Sequence, residues 1–380
     1  MSWQNTSRAV NVLVALLCVV TVVGMVLLWP SGESESKLEG SLRLDTTVAS
    51  VVAVEKAPCV FEGASGCIVA RATLDAGPDR EVELRLGGAA NDPTLSVGDK
   101  IRVSASGGGD YAFVDFERRQ PIFLLALIFA AIVIAFGRLR GLRALVGLAA
   151  SLSIVLFFIV PAILDGREPF AVAIVGSFAV MIVTLGLTHG IGLTSRAAAL
   201  GTASSLLITA ILAWIFTSAG NITGFSSDEA TILQSASADL SIGGLVLAGI
   251  IIAALGVLDD LTVSQASAVM AIRNADPMQG FKRLYDGAIN VGRDHVAATV
   301  NTLVLAYVGA SLPVLLIFSV GGVGPIDALN SEAVAEQIVG TLVGSIGLIA
   351  AVPITTAIAA ALASRLPGDI QVEAGPTHSH

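Results

Sequence analysis

The chain has 380 residues, 54% of them hydrophobic and 13% charged, a net charge of −9 and a mean hydropathy of +0.82. A soluble globular domain carries nearer a quarter charged residues. The composition therefore excludes an ordinary soluble domain, and the excess of acid gives no support to nucleic-acid binding.

In chain order the sequence opens on an apolar run at 9–29. At about twenty residues it is too long for a typical secretory signal core, and the following "LLWPSGESES" is a poor cleavage site. We expect an uncleaved membrane anchor over residues 1–30.

Residues 31–119 change character. "LDTTVASVVAVEK", "GCIVARATL", "REVELRL", "DKIRVSAS" and "YAFVDFE" alternate apolar and polar residues, as half-buried strands do. Glycine-rich turns separate them. Five short strands suit a small OB-like barrel, and equally a plain sandwich edge. Cys59 and Cys67 flank "VFEGASG" in this segment. A disulfide is one reading, and two buried thiols the other.

Further apolar runs at 121–137, 142–163, 170–188, 197–218, 241–258, 296–320 and 338–363 bring the expected spans to eight. Each can cross a hydrocarbon core of about 30 Å. The expectation is thus an α-helical multi-pass membrane protein with a small all-β domain. Its seven-helix portion covers 120–365, and a disordered cytoplasmic tail covers 366–380. Lys and Arg cluster in alternate connections (Arg138, Arg140, Arg143, Arg196, Arg273, Lys282, Arg283, Arg293, Arg365). The positive-inside rule then puts both termini in the cytoplasm of the cell that bears it and residues 31–119 outside.

Two stretches carry candidate chemistry. From Leu240 to Ile272 the only charged residues are Asp259 and Asp260. One unpaired Asp at the bilayer centre costs about 2.5–3.5 kcal/mol on insertion scales. The pair can end a helix and cap the next one, or line a polar cavity, or do both. The expected arrangement is a break at the pair, with a second short helix after it. Asp276–Pro277 then reads as a helix start. An amphipathic helix over 277–291 lies on the membrane surface or serves as a solvated connector.

In "INVGRDHVAATVNTLVLAYVGASLP" the residues Asp294, Ala298, Asn301, Leu305, Gly309 and Pro313 share a face. That face is expected to look into the bundle. Asp294 would then meet Asp259 and Asp260 in one inner vestibule, with Arg293 or Arg273 as counter-charge. "LTHGIGLTSR", residues 187–196, reads first as a glycine-flexed turn between spans.

The chain holds no Walker A sequence, no nucleophile elbow and no paired zinc-ligand motif. No enzyme activity and no cofactor are expected, and the sequence says nothing about a metal.

"GVLDDLTVSQASAV" (256–269) and the stretch from 289 to 313 resemble the YibE/F-like family of bacterial multi-pass membrane proteins. The resemblance extends over most of the chain from residue 40 onward. It marks Asp259, Asp260, Arg293, Asp294, Asn301 and Thr302 as motif positions without assigning them roles. It implies a permease-like protein of the bacterial cell membrane, moving an unknown small solute or ion. The alternative is a non-transporting envelope scaffold whose β domain binds an outer partner. The lipid bilayer is the expected surrounding, and a second copy of the chain stands open as a partner.

Overall fold

The computed structural model describes residues 3–32, 45–59, 66–75, 81–87, 93–105, 110–236 and 240–367. The expected tail beyond Pro367 lies outside them. The chain divides into two compact units, residues 1–38 with 137–380, and residues 39–136.

The smaller unit is a curled antiparallel sheet. Its strands are β1 (Thr46–Lys56), β2 (Ile68–Leu74), β3 (Glu81–Leu86), β4 (Lys100–Ala105) and β5 (Tyr111–Phe116), in the order β3-β2-β1-β4-β5. Alternation places Ala49, Val51, Ala70, Ala72, Leu74, Val82, Leu84, Ile101 and Val103 in one core. Bulges leave Val52 of β1 and Val114 of β5 as extra residues and bend those two strands. The edge strands β3 and β5 approach one another. Cys59 and Cys67 are joined by a disulfide, with Cα atoms 5.3 Å apart. Gly87 sits beside it at φ +119°, and a Cβ there would lie 2.3 Å from the Cys67 Cα, so glycine is required. Charges pair at one end of the sheet: Arg118 with Asp115 at 2.6 Å, and Arg102 with Glu117 at 3.3 Å.

The larger unit is helical. Helix α1 is Trp3–Leu27. Helix α2, Arg119–Ile154, begins in the smaller unit and runs through a π turn (Val155–Ile159) into α3 (Val160–Leu164). Then come α4 (Pro169–His189), α5 (Leu193–Ala219), the short α6 (Asp228–Ala236), α7 (Ile242–Ala275), α8 (Phe281–Val320), the short α9 (Pro325–Asn330) and α10 (Glu332–Ala363). Seven of these helical runs are long and apolar enough to cross a membrane by length and composition.

The core lies where α5, α7 and α10 pack on one another. Small residues set that approach. A Cβ on Gly201 would lie 2.1 Å from the Thr355 hydroxyl, and one on Gly347 would lie 1.9 Å from that of Thr209. Close backbone approach of this kind is how apolar helices associate without a hydrophobic drive between them. Loop carboxylates fasten the ends. Glu332 accepts from the Thr223 and Gly224 amides at 2.5 and 2.6 Å. Asp165 accepts from the Ser31 hydroxyl at 2.8 Å, and Glu168 caps α4 through the Ala171 amide at 2.6 Å.

The runs 121–137 and 142–163, expected as two spans, lie on either side of a kink: Arg138 has non-helical backbone angles (φ 48°, ψ −128°), so two helices meet there within the 46-residue stretch Arg119–Leu164. Two expectations are corrected. Helix α7 does not break at Asp259 and Asp260 but continues to Ala275. The flanking Leu and Ala favour helix, and the cost of the carboxylates is met by side-chain placement, not by ending the helix. No separate helix spans 277–291 either. Asp276 closes α7, accepting from the Met278 amide at 3.1 Å, and α8 starts at Phe281 and runs unbroken for 40 residues.

Candidate functional site

Consecutive residues on a helix point ~100° apart, and this separates the two aspartates. Asp259 turns toward α4. Its Oδ2 accepts a hydrogen bond from the Thr184 hydroxyl at 3.1 Å. Its Oδ1 is buried with no hydrogen-bond partner among the described residues. Asp260 is exposed and within electrostatic reach of His189 at the end of α4. Neither caps a helix, since α7 passes straight through them. The capping reading has no geometric basis.

One turn on, a hydroxyl seam begins. Thr262 donates to the Asp259 carbonyl at 3.1 Å, which leaves Thr202 of α5 as donor in their 2.5 Å contact. Gln265 donates from Nε2 to the Ala288 carbonyl of α8 at 2.8 Å and to the Thr356 hydroxyl of α10 at 2.7 Å. The Ser345 and Thr355 hydroxyls are buried without partners among the described residues. In a low-dielectric interior such groups are costly unless something else satisfies them. Thr184, Thr202, Thr262 and Gln265 were not among the site candidates singled out from the sequence; small hydroxyls within an apolar helix are the only signal there that could have found Thr184 and Thr202.

The second motif does not join this cluster. Asp294 and Asn301 are exposed on α8, whose opposite side packs through Leu284, Ala288 and Gly292. A Cβ on Gly292 would meet Val352 and Gln265, so that side faces α7 and α10. The expected inward face is the outward one. Arg293 donates to its helix neighbour Asn290 at 3.3 Å. Thr302 donates to the Ala298 carbonyl at 3.1 Å. Arg273 is buried and holds the end of α10, donating to the Ala363 and Leu366 carbonyls at 3.1 and 3.0 Å. A cation among orphan helix carbonyls is fully employed there, so it is not the counter-charge expected.

A cavity of about 420 Å³ opens between α6, α7, α8 and α10, with Ser226, Glu229, Tyr307, Glu336 and Gln337 among its walls. It shares Ala253, Tyr307 and Gly340 with a narrow space of about 10 Å³ that reaches Val257. Val257 stands one helical turn before Asp260. Among the described residues no group of three or more His, Cys, Asp or Glu is placed to hold a metal.

Fold and site define a mostly helical protein: several long apolar helices, a small curled β sheet and a carboxylate, Asp259, whose Oδ1 is buried with no partner among the described residues. The profile of the YibE/F-like protein family matches residues 125–365, and the chain belongs to that family. The match begins after the strands, so it does not extend to the β segment as the resemblance did. No curated protein and no solved structure matches the chain.

Proposed function

We propose that this chain is a multi-pass permease of a bacterial cell membrane, and that its solute or coupling ion is held at Asp259. The carrying observation is the buried Oδ1 of Asp259, unpaired among the described residues. An ionisable group at such depth, with a single hydroxyl as partner, is costly to keep for structure alone. The cavity walled by Glu229 and Glu336 is the candidate entry; neither it nor the narrow space at Tyr307 and Gly340 is lined by Asp259, so the side chains between Val257 and Asp259 would have to move to join them. The chemistry asked of Asp259 is to take up and release a proton or a cation.

The orientation follows the charges. Arg196 bonds Asn11 at 2.8 Å and Arg365 bonds Thr6, so the end where α1 begins is rich in arginine. Asp165 and Glu332 hold the other end. The positive-inside rule makes the first end cytoplasmic. The sheet is then outside, and its five strands, order and approaching edges support an OB-type barrel there. Single cysteines at Ser36 and Ser379 test this: only the first should react with an impermeant thiol reagent in intact cells.

The function is tested by comparing the ions and small metabolites held by deletion cells with those of cells given back the gene. Asp259→Asn keeps the shape and the Thr184 bond and loses only the charge. Cells carrying it should behave as the deletion does while the protein inserts normally. Full complementation by the Asp259→Asn, Asp260→Asn double variant at normal expression would overturn the permease reading and leave a non-transporting scaffold.

A further inference from the structure

Three oxygens compete for one hydrogen at Thr184. Its hydroxyl stands 2.9 Å from the Val180 carbonyl and 3.1 Å from the Met181 carbonyl of its own helix, and 3.1 Å from Oδ2 of Asp259. A hydroxyl has one hydrogen to donate and two lone pairs with which to accept. With Asp259 ionised, the hydrogen goes to Oδ2. With Asp259 neutral, the acid's own O–H donates to the Thr184 oxygen, and the Thr184 hydrogen returns to the Val180 carbonyl. Both states are served without moving a heavy atom, and they differ by one proton on the carboxyl.

Oδ1 separates the two states. It is buried with no partner among the described residues. Left bare on a neutral acid, it costs what an unpaired polar group costs. Left bare on a carboxylate, it leaves charge without solvation, which costs far more. The helices packed on α7 bring no counter-charge to it among the described residues. Helix α4 carries only His189, which is in reach of Asp260, and α5 carries only Arg196, which bonds Asn11. Helix α10 has no charged residue between Glu336 and Arg365. On α8 the charged residues from Lys282 to Asp294 are exposed, His295 is half-buried, and Tyr307 lines the narrow space. Arg273, farther along α7, holds the end of α10.

We infer that the ion held at Asp259 is a proton and not a metal cation. This deepens the permease reading and rests on it only for the coupling of that ion to transport. A metal asks for more than the site offers: calcium takes roughly six to eight oxygens, and magnesium a near-ideal octahedron. The neighbouring donors are already engaged. Thr262 bonds the Asp259 carbonyl and Thr202, and Gln265 bonds the Ala288 carbonyl and Thr356. The narrow space that reaches Val257 measures about 10 Å³, room for about one water. A hydrated metal ion does not fit there. A proton needs one oxygen to hold it and one water to deliver it, and the ionised Asp259 left behind gains in that water the partner Oδ1 lacks.

The test is infrared difference spectroscopy of the full chain in lipid, between neutral and alkaline pH. The carbonyl band of a neutral carboxylic acid should be present at neutral pH and lost on the alkaline side. It should be missing from Asp259→Asn, restored in Asp259→Glu and kept in Asp260→Asn. Sodium, potassium, magnesium or calcium chloride added at constant pH should leave it unchanged. Loss of the band on adding any of these salts would show a metal displacing the proton and overturn the inference, while leaving a permease with a metal as its ion. A difference spectrum equal in the parent and Asp259→Asn, or a band lost in Asp260→Asn and kept in Asp259→Asn, would also overturn it. Full complementation by the double Asn variant, with the band present in the parent, would instead remove transport and keep the proton site.

Discussion

Helices α7 and α8 carry the same kind of sequence signal and put it to opposite uses. Each interrupts a long apolar run with a few polar residues. On α7 those residues point inward: Asp259, Thr262 and Gln265 bond to α4, α5, α8 and α10. On α8 they point outward: Asp294 and Asn301 are exposed, and only four of its 40 residues are buried. A polar residue in an apolar helix therefore marks a contact to be made, without saying whether the partner lies in the same chain. Inside the bundle the polar groups tie helices together and leave one carboxylate oxygen over. Outside it they are left for whatever surrounds the unit.

The sharpest break in this comparison is functional. Asp259→Asn should remove complementation altogether, while Asp294→Asn should leave it within about twofold, as exposed substitutions usually do. Equal loss in both would mean that the two motifs meet in one site after all, in a state other than this one. The readout is the ion and metabolite content of the complemented cells.

Packing gives the next contrast. Gly347→Ala forces a methyl to within 1.9 Å of the Thr209 hydroxyl, and overpacking of this kind costs about 1–3 kcal/mol. Gly309→Ala on α8 meets nothing within 4 Å, and alanine favours helix by up to about 1 kcal/mol. Thermal unfolding in detergent should fall for the first and stay level or rise for the second. A similar fall in both would show that α8 is enclosed.

The amides differ in the same way. Gln265→Leu strands the Ala288 carbonyl and removes the bridge to Thr356, a loss of about 1–3 kcal/mol in unfolding free energy. Asn301→Leu breaks no bond among the described residues, and the variant in detergent should unfold as the parent does. A matching loss at Asn301 would mean that it has an intramolecular partner.

The smallest effect concerns carboxylates that have partners, in contrast to Asp259. In the sheet, the hydrogen bond from Arg118 holds Asp115 below the usual carboxylate range, and the Arg119 amide does the same for Glu117. A depressed folded pKa gives stability that is present above the unfolded value and lost as pH falls through the folded one. Acid should therefore weaken the sheet from about pH 4 downward, the share from Asp115 being slight because its side chain is open to solvent, whereas that of Glu117 is largely covered. In an acid titration of thermal unfolding, Asp115→Asn with Glu117→Gln should flatten that dependence. An unchanged slope would assign it elsewhere.

Much of this was legible in the sequence. Strand alternation in 46–116, the apolar helices and the family are local properties, because burial on one face of a strand or across a whole helix is written directly into composition and period. The proximity of Cys59 and Cys67 was legible too, though not whether they bond. Three things were decided only by tertiary packing. Asp259 and Asp260 leave α7 unbroken because Thr184, 75 positions away, receives one carboxylate while the other stays open. Arg273 serves the end of α10 and not an aspartate because the chain brings Ala363 and Leu366 to it. Asn301 faces outward because Gly292 and Ala288, on the other side of the same helix, are the residues small enough to meet Val352 and Gln265. In a helix that is apolar all round, hydrophobic period cannot say which side is in. The fit of small residues against particular neighbours makes that choice, and those neighbours are distant in sequence.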